Sequence, residues 1–147
     1  MGLFDALGIS GSGLTAQRLR MDVTAENLAN AQSTRDANGQ PYRRKDVVLQ
    51  EASTSGFAGA LRTAQAGSSP AGAGVQVAGI VADPSPGRRV YDPGHPDANA
   101  QGYVTLPNVN PVNEMVDLIT AQRGYEANVT AMSAAKQMFT KTLDVLR

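Results

Sequence analysis

The sequence has 147 residues, its 13 basic and 13 acidic side chains cancel, and it contains no cysteine. A neutral chain has no basic surface of the kind that binds nucleic acid or an anionic membrane, and missing thiols exclude disulfide and thiolate chemistry. No apolar run reaches the length of about 18 residues that a transmembrane helix needs. The N-terminus lacks the basic start of a secretory signal, so we expect no cleaved signal peptide.

Residues 1–31 are predicted to form the first of two long helices. Glycines weaken its first turns, and Ser12 is a candidate N-terminal cap for a start near Leu14. From there the apolar residues form two stripes on opposite sides of the helix. One stripe consists of Leu14, Met21, Ala25 and Leu28, and the other of Ala16, Leu19 and Val23. Because one neighbouring helix covers only one stripe, we expect other subunits to bury the second.

A small β-rich and loop region is predicted over residues 32–111. Alternating, β-branched or aromatic residues predict short strands at 42–49, 74–82, 90–91 and 103–106. The basic run at 43–45 is interpreted as a solvated segment, since three charges in a neutral chain rarely form a phosphate site. Alanine, glycine and serine dominate residues 52–74, which predicts a flexible segment.

The second long helix is predicted at 112–147, where Asn110 is a candidate cap and Pro111 suits the first helical position. Residues at steps of three and four form a seam that is typical of a helix that meets a partner helix. The seam consists of Met115, Leu118, Gln122, Tyr125, Val129, Met132, Lys136, Phe139, Leu143 and Leu146. We therefore predict a mainly α fold with a small β region, in which the terminal helices pair as an antiparallel coiled coil.

Small residues occupy the opposite side of the second helix. They are Ala121, Gly124, Ala127, Ala131, Ala134 and Ala135. Such residues permit close approach by another backbone, and at about 1.5 Å per residue the helix would be about 50 Å long. Because a small domain cannot cover that length, we expect neighbouring subunits to contact this side.

The only histidine, His95, lies between Asp92 and Asp97 in a segment with two prolines and a glycine. A catalytic metal usually has three protein ligands, and the chain offers no second histidine and no cysteine. In such turns, Asp and His side chains commonly hold the backbone. We therefore expect no catalytic, metal or cofactor site. A metal-dependent hydrolase built on His95 is the enzymatic alternative, and it predicts loss of an activity in His95→Ala.

Two stretches of the chain resemble bacterial flagellar axial proteins. Residues 14–31, LTAQRLRMDVTAENLANA, are similar to the N-terminal signature of rod, hook and hook-associated subunits, centred on Asn27-Leu28-Ala29-Asn30. Glu26 stands where that signature is expected to have asparagine. Residues 90–115 and 121–128, VYDPGHPDANAQGYVTLPNVNPVNEM and AQRGYEAN, are similar to the proximal rod proteins of the flagellar basal body. Together the matching stretches cover well over half of the chain.

The resemblance implies a non-enzymatic rod subunit that polymerises helically and forms a drive shaft and export channel across the periplasm. It implies export through the flagellar apparatus without a cleaved signal, and an inner tube built from helices 1–31 and 112–147. The implied partners are further copies, other rod subunits, and the adaptor and ring proteins at the rod base, without nucleic acid or membrane insertion. A coiled-coil adaptor that does not polymerise is the alternative.

We expect both terminal helices to contribute to the assembly surface. The candidate residues of the first helix are Leu14, Leu19, Met21, Val23, Asn27, Leu28 and Asn30. Those of the second are Met115, Leu118, Gln122, Tyr125, Val129, Met132, Phe139, Leu143 and Leu146. Because large apolar anchors are scarce, we expect these helices to become fully ordered only on assembly.

Overall fold

A computed structural model describes residues 3–36, 39–52 and 74–145. In chain order these residues form α1 (Leu3–Ala29), β1 (Lys45–Glu51), β2 (Val75–Ala82), β3 (Arg88–Tyr91), β4 (Tyr103–Leu106) and α2 (Pro111–Val145). β1 pairs with β2 and β3 with β4, in two antiparallel sheets of two strands each. The segment predicted to be flexible lies, apart from its two ends, outside the described residues, and so does Leu146.

The start of α2 confirms the prediction from the sequence. The Asn110 side-chain oxygen accepts a hydrogen bond from the backbone N–H of Val112 at 3.0 Å, and the Asn110 carbonyl accepts one from Glu114 at 3.1 Å. Pro111 is the first helical residue, a position where no N–H is needed for the helix. This Asn-Pro pair therefore fixes the N-terminus of α2.

α1 runs without a break through the three glycines near its start, so the predicted cap at Ser12 is wrong. The Ser12 hydroxyl donates to the Ile9 carbonyl at 2.7 Å, as a hydroxyl inside a helix commonly does. It also accepts a hydrogen bond from the N–H of Val75 at 3.0 Å. Ser12 therefore connects the helix to the first residue of β2.

The chain divides into two compact units, and both helices contribute to each. The first unit contains α1 up to Arg18, β2 up to Ala78 and α2 from Gln122. The second contains α1 from Leu19, the strands β3 and β4, and α2 up to Ala121. Each unit therefore joins segments from opposite ends of the sequence.

In the first unit the two helices run antiparallel and make contact through small residues. A Cβ atom added at Gly13 would lie 3.0 Å from Asn128 Nδ2, and one added at Gly124 would lie 3.1 Å from Gln17 Nε2. Ala135 of α2 is 5% exposed. The helices approach closely because glycine and alanine place no bulky side chain at the contact.

The predicted fold class, mainly α with terminal helices in an antiparallel coiled coil, is wrong. The described chain has two helices and four short strands in two small sheets, and the helix pair does not show a clear coiled coil. Knobs-into-holes packing would bury the large seam residues, but Phe139 and Leu143 in the first unit and Met115 in the second are exposed. Ala121 and Ala135 of the small-residue side are buried, whereas Ala127, Ala131 and Ala134 of the same side are exposed. Both sides repeat at steps of three and four, so periodicity alone could not distinguish them.

Substitution of Gly13 tests the close helix contact in the first unit. We expect Gly13→Leu to destabilise the protein by about 1–3 kcal/mol, because the larger side chain overfills the space beside Asn128. Gly8→Leu is the matched control, since no atom lies within 4 Å of a Cβ added there. It should stabilise the helix by up to about 1 kcal/mol. Urea unfolding followed by circular dichroism measures both, and equal effects would contradict the close contact.

Candidate functional site

Large apolar side chains lie exposed along α2. In the second unit they are Val112, Met115, Val116 and Ile119. In the first unit they are Val129, Met138, Phe139 and Leu143. The four in the second unit are spaced three and four residues apart and thus form one stripe on the helix. Contiguous exposed apolar surface of this kind marks sites of protein interaction.

The candidate assembly residues of α2 fall into two sets. Half-buried side chains recur every seven residues at Leu118, Tyr125 and Met132. The exposed set comprises Met115, Gln122, Val129, Phe139 and Leu143. The half-buried set borders the small-residue side of the helix. The side chains of the exposed set are accessible on the surfaces of the two units.

The candidate residues of α1 are also divided. Val23 and Asn27 are buried inside the second unit. Partly exposed side chains remain at Leu14, Leu19, Met21, Leu28 and Asn30. Two of the seven candidates therefore contribute to the packing of their own chain.

Asn27 is the centre of a buried polar cluster in the second unit, and it is 1% exposed. Its Oδ1 accepts hydrogen bonds from the Tyr42 hydroxyl and from the backbone N–H of Lys45, both at 2.9 Å. Its Nδ2 donates to the Lys45 carbonyl at 2.8 Å and to Glu114 Oε2 at 3.0 Å. The amide thus uses both donors and both acceptor positions. One side chain connects α1, the start of β1 and the first turn of α2.

Glu114 is also 1% exposed, and Arg44 balances its charge. Arg44 Nε donates to Glu114 Oε1 at 2.6 Å, and this hydrogen bond raises the pKa of Arg44 above its usual value. Arg44 Nη2 lies 3.4 Å from Asp117 Oδ2, and the Arg44 backbone N–H donates to Asn108 Oδ1 at 2.8 Å. A buried carboxylate requires such a paired and hydrogen-bonded environment.

The basic run at 43–45 is therefore more than the solvated segment that the sequence predicts. Lys45 Nζ lies 2.6 Å from Glu26 Oε1 and 5.5 Å from the centre of the Tyr42 ring. Burial, together with the negative charges of Glu26 and Glu114, raises the pKa of Tyr42 to about 12. The Tyr42 hydroxyl donates its hydrogen bond to Asn27.

Asn30, the second asparagine of the N-terminal motif, ends α1. Its Nδ2 donates to the Glu26 carbonyl at 2.9 Å, and its backbone N–H donates to the same oxygen at 3.1 Å. The last carbonyls of a helix lack partners within the helix, so this contact satisfies one of them. The two asparagines therefore differ in role, because Asn27 joins three segments and Asn30 closes the helix.

The side chains of the His95 turn hold its backbone, as predicted. His95 Nδ1 accepts a hydrogen bond from the N–H of Asp97 at 3.1 Å. The Asp97 carboxylate accepts one from the Thr34 hydroxyl at 2.7 Å and pairs with Arg35 at 2.8 Å. Within residues 3–36, 39–52 and 74–145, no group of three potential metal ligands comes together. In those same ranges, no helix combines the length and apolar character needed to cross a membrane.

Known protein families match both ends of the chain. A family described as "Flagella basal body rod protein" matches residues 7–35. Another, described as "Flagellar basal body rod FlgEFG protein C-terminal", matches residues 100–145. The first range contains Asn27 and the second contains Glu114, so the matches include two hydrogen-bonded members of the polar cluster.

Relatives of nearly equal length share one description, "Flagellar basal-body rod protein FlgC". The Bacillus subtilis (strain 168) protein is 52% identical over 149 residues, which covers 99% of each chain. The Borreliella burgdorferi protein is 42% identical over 151 residues, and the alignment covers 100% of this chain and 99% of the relative. The Escherichia coli O6:H1 protein is 43% identical over 143 residues, or 97% of each chain. This chain belongs to the FlgC family of flagellar basal-body rod proteins.

Sequence reasoning missed three members of the polar cluster around Asn27 in this FlgC-family chain: Tyr42 and Glu114, which bond to Asn27, and Arg44, which bonds to Glu114. An acidic residue in the first turn of a helix is adequately explained by the helix dipole, which hides a second role for Glu114. Arg44 stands between two other basic residues and so does not stand out. The family resemblance was the signal that drew attention to Asn27, and it identified none of the residues bonded to it.

Proposed function

We propose that this FlgC-family chain is a structural subunit of the flagellar basal-body rod and polymerises helically with other rod proteins. The observation that carries the proposal is its alignment with FlgC proteins over nearly the whole chain. The exposed apolar side chains of α2 support it, because a polymer subunit needs surface that other chains can bury. The alternative, an adaptor that does not polymerise, is not favoured, because the relatives compared above are named rod proteins.

In this proposal the two sides of α2 have different tasks. Part of the small-residue side closes the subunit, because Gly124 contacts Gln17 of α1 and Ala135 is buried in the first unit. The exposed apolar side, including Met115, Val129 and Leu143, contacts neighbouring subunits together with the partly exposed residues of α1. Contacts between unlike patches repeat without closing a ring and so build a helical array. The function is structural, without catalysis.

The proposed location is the rod that crosses the periplasm. The helices α1 and α2 form the inner tube around the export channel, and the intervening region lies outside it. The subunit is exported by the flagellar apparatus without a cleaved signal. Its partners are further copies, other rod subunits, and the adaptor and ring proteins at the rod base.

Deletion and complementation in the source bacterium test the proposed function. Deletion of the gene should abolish swimming and the formation of complete basal bodies, and the wild-type gene should restore both. The tagged chain should also copurify with isolated basal bodies. Normal swimming in the deletion strain would refute a role as a rod subunit. Absence of the chain from the basal bodies of the complemented strain would refute it as well.

A further inference from the structure

One face of the β3–β4 hairpin carries an exposed aromatic pair. Tyr91 and Tyr103 lie opposite each other in the strand register, with ring centroids 5.3 Å apart and ring planes at 66°. Their exposed fractions are 65% and 42%. A Cβ atom at Gly102, whose φ is 79°, would lie only 2.8 Å from the Tyr91 ring. The close contact with this glycine and the edge-to-face geometry position the pair before any partner binds.

Arg89 lies on the same face as Tyr91, because residues two apart on a strand share a face. In the described part of the chain, no carboxylate forms an ion pair with Arg89. On the opposite face of the hairpin, Val104 is buried, with 3% of its surface exposed. Tyrosine and arginine are the residues most enriched at the energetic centres of protein interfaces. The outward face therefore has the composition of a binding surface for a partner that carries a carboxylate.

An exposed proline segment lies between β2 and β3, and it consists of Pro84, Ser85 and Pro86. Asp83 Oδ1 accepts a hydrogen bond from the N–H of Ser85 at 2.8 Å, which stiffens the start of the segment. Because proline has a fixed φ, such a segment loses little conformational entropy when it is bound. Surfaces lined with aromatic rings recognise proline segments for this reason. Asp83 adds a carboxylate next to the first proline.

We propose that the segment Pro84, Ser85 and Pro86 of one subunit docks on the Tyr91–Tyr103 pair of a second copy of this chain. The carboxylate of Asp83 then faces Arg89 of the other copy. Within one chain β3 separates the two patches by about 10 Å, at 3.4 Å per residue, so each is available to a neighbour. Unlike patches at opposite ends of one hairpin give a head-to-tail contact, and the inference thus rests on the proposed function as a polymerising subunit.

A disulfide cross-link between neighbouring subunits tests the contact, since the wild-type chain contains no cysteine. Ser85→Cys places a thiol in the proline segment, and Gln101→Cys places one at an exposed position beside Gly102. Because the hairpin separates these positions, they exceed the reach of about 7 Å between Cα atoms that a disulfide within one chain allows. Isolated basal bodies that contain the double variant are oxidised with copper phenanthroline. Their proteins are then separated by denaturing gel electrophoresis without reductant. We expect a ladder of dimers and larger multimers.

The controls are each single variant and the pair Ser85→Cys with Thr120→Cys, which places the second thiol at an exposed position of α2. None of them should produce the ladder. Basal bodies that contain the double variant but yield no more cross-link than the control pair would overturn the proposed contact and leave the rod function intact. Absence of the wild-type chain from basal bodies would instead refute the rod function.

A motility assay keeps the contact testable if the cysteine pair prevents incorporation. The variant Tyr91→Ser with Tyr103→Ser removes both rings and should reduce swimming at least tenfold. The variant Tyr91→Phe with Tyr103→Phe keeps both rings and should swim normally. The unfolding midpoints of the two purified variants are compared as well. Equal midpoints would show that a loss of swimming comes from lost docking and not from impaired folding. Normal swimming of the serine pair would overturn the proposal.

Discussion

Glu114→Ala is expected to lower the free energy of unfolding by about 3 kcal/mol, the low end of the range for breaking a buried ion pair. The substitution removes the acceptor of the 2.6 Å hydrogen bond from Arg44 and the acceptor of the 3.0 Å bond from Asn27. The Asn27 amide, which is 1% exposed, would keep a donor without an acceptor, and the Arg44 guanidinium, which is 26% exposed, would lose its shortest ion pair. Urea unfolding of the purified protein, followed by circular dichroism, measures the loss.

Asp117→Ala is the matched control, because Asp117 approaches the same guanidinium from a more exposed position. Its contact with Arg44 is 3.4 Å long, and its side chain is 36% exposed, so the loss should be about 0–1 kcal/mol. Replacing both Arg44 and Glu114 by methionine should cost less than Glu114→Ala, since no buried charge then remains unpaired. Equal losses for Glu114→Ala and Asp117→Ala would contradict a special role for the buried carboxylate.

Local signals in the sequence predicted several elements of the fold. Asn110 and Pro111 identified the start of α2, because capping depends only on residues within one turn. Alternation and β-branched residues located the strands Val75–Ala82 and Tyr103–Leu106. The turn at His95 was recognised from the chemistry of proline and Asx side chains. Features set by a few consecutive residues could be read without the structure.

The polar cluster could not be predicted in this way, because its members are far apart in the sequence. Asn27 bonds to Tyr42, 15 residues away, and to Glu114, 87 residues away. Neither the pairing nor the burial of Glu114 follows from local composition. The prediction of which side of α2 packs inward was wrong for a related reason. Larger side chains predict the inward face of a helix in a monomer, but here Ala121 and Ala135 are buried and residues such as Leu143 stay exposed.

Leu143→Asp should abolish incorporation of the chain into basal bodies and leave expression unchanged. Leu143 is 50% exposed, so an aspartate there costs the isolated subunit little stability. In the proposed assembly the same position is buried by a neighbour, where an unpaired charge is strongly unfavourable. Removal of all residues after Phe139 should have the same effect, because it deletes the last turns of the proposed interface. Fractionation of basal bodies with immunodetection, together with swimming assays, measures the loss.

Gln137→Asp is the matched control for Leu143→Asp, because it adds the same charge at an exposed polar position of α2. The two positions lie about 120° apart around the helix, so they contact different surroundings in an assembly. We expect Gln137→Asp to be incorporated and to swim, and both variants to unfold at similar urea concentrations. If Leu143→Asp swims normally, the exposed apolar side of α2 does not build the rod. If it unfolds at a much lower urea concentration than the control, Leu143 stabilises the subunit itself.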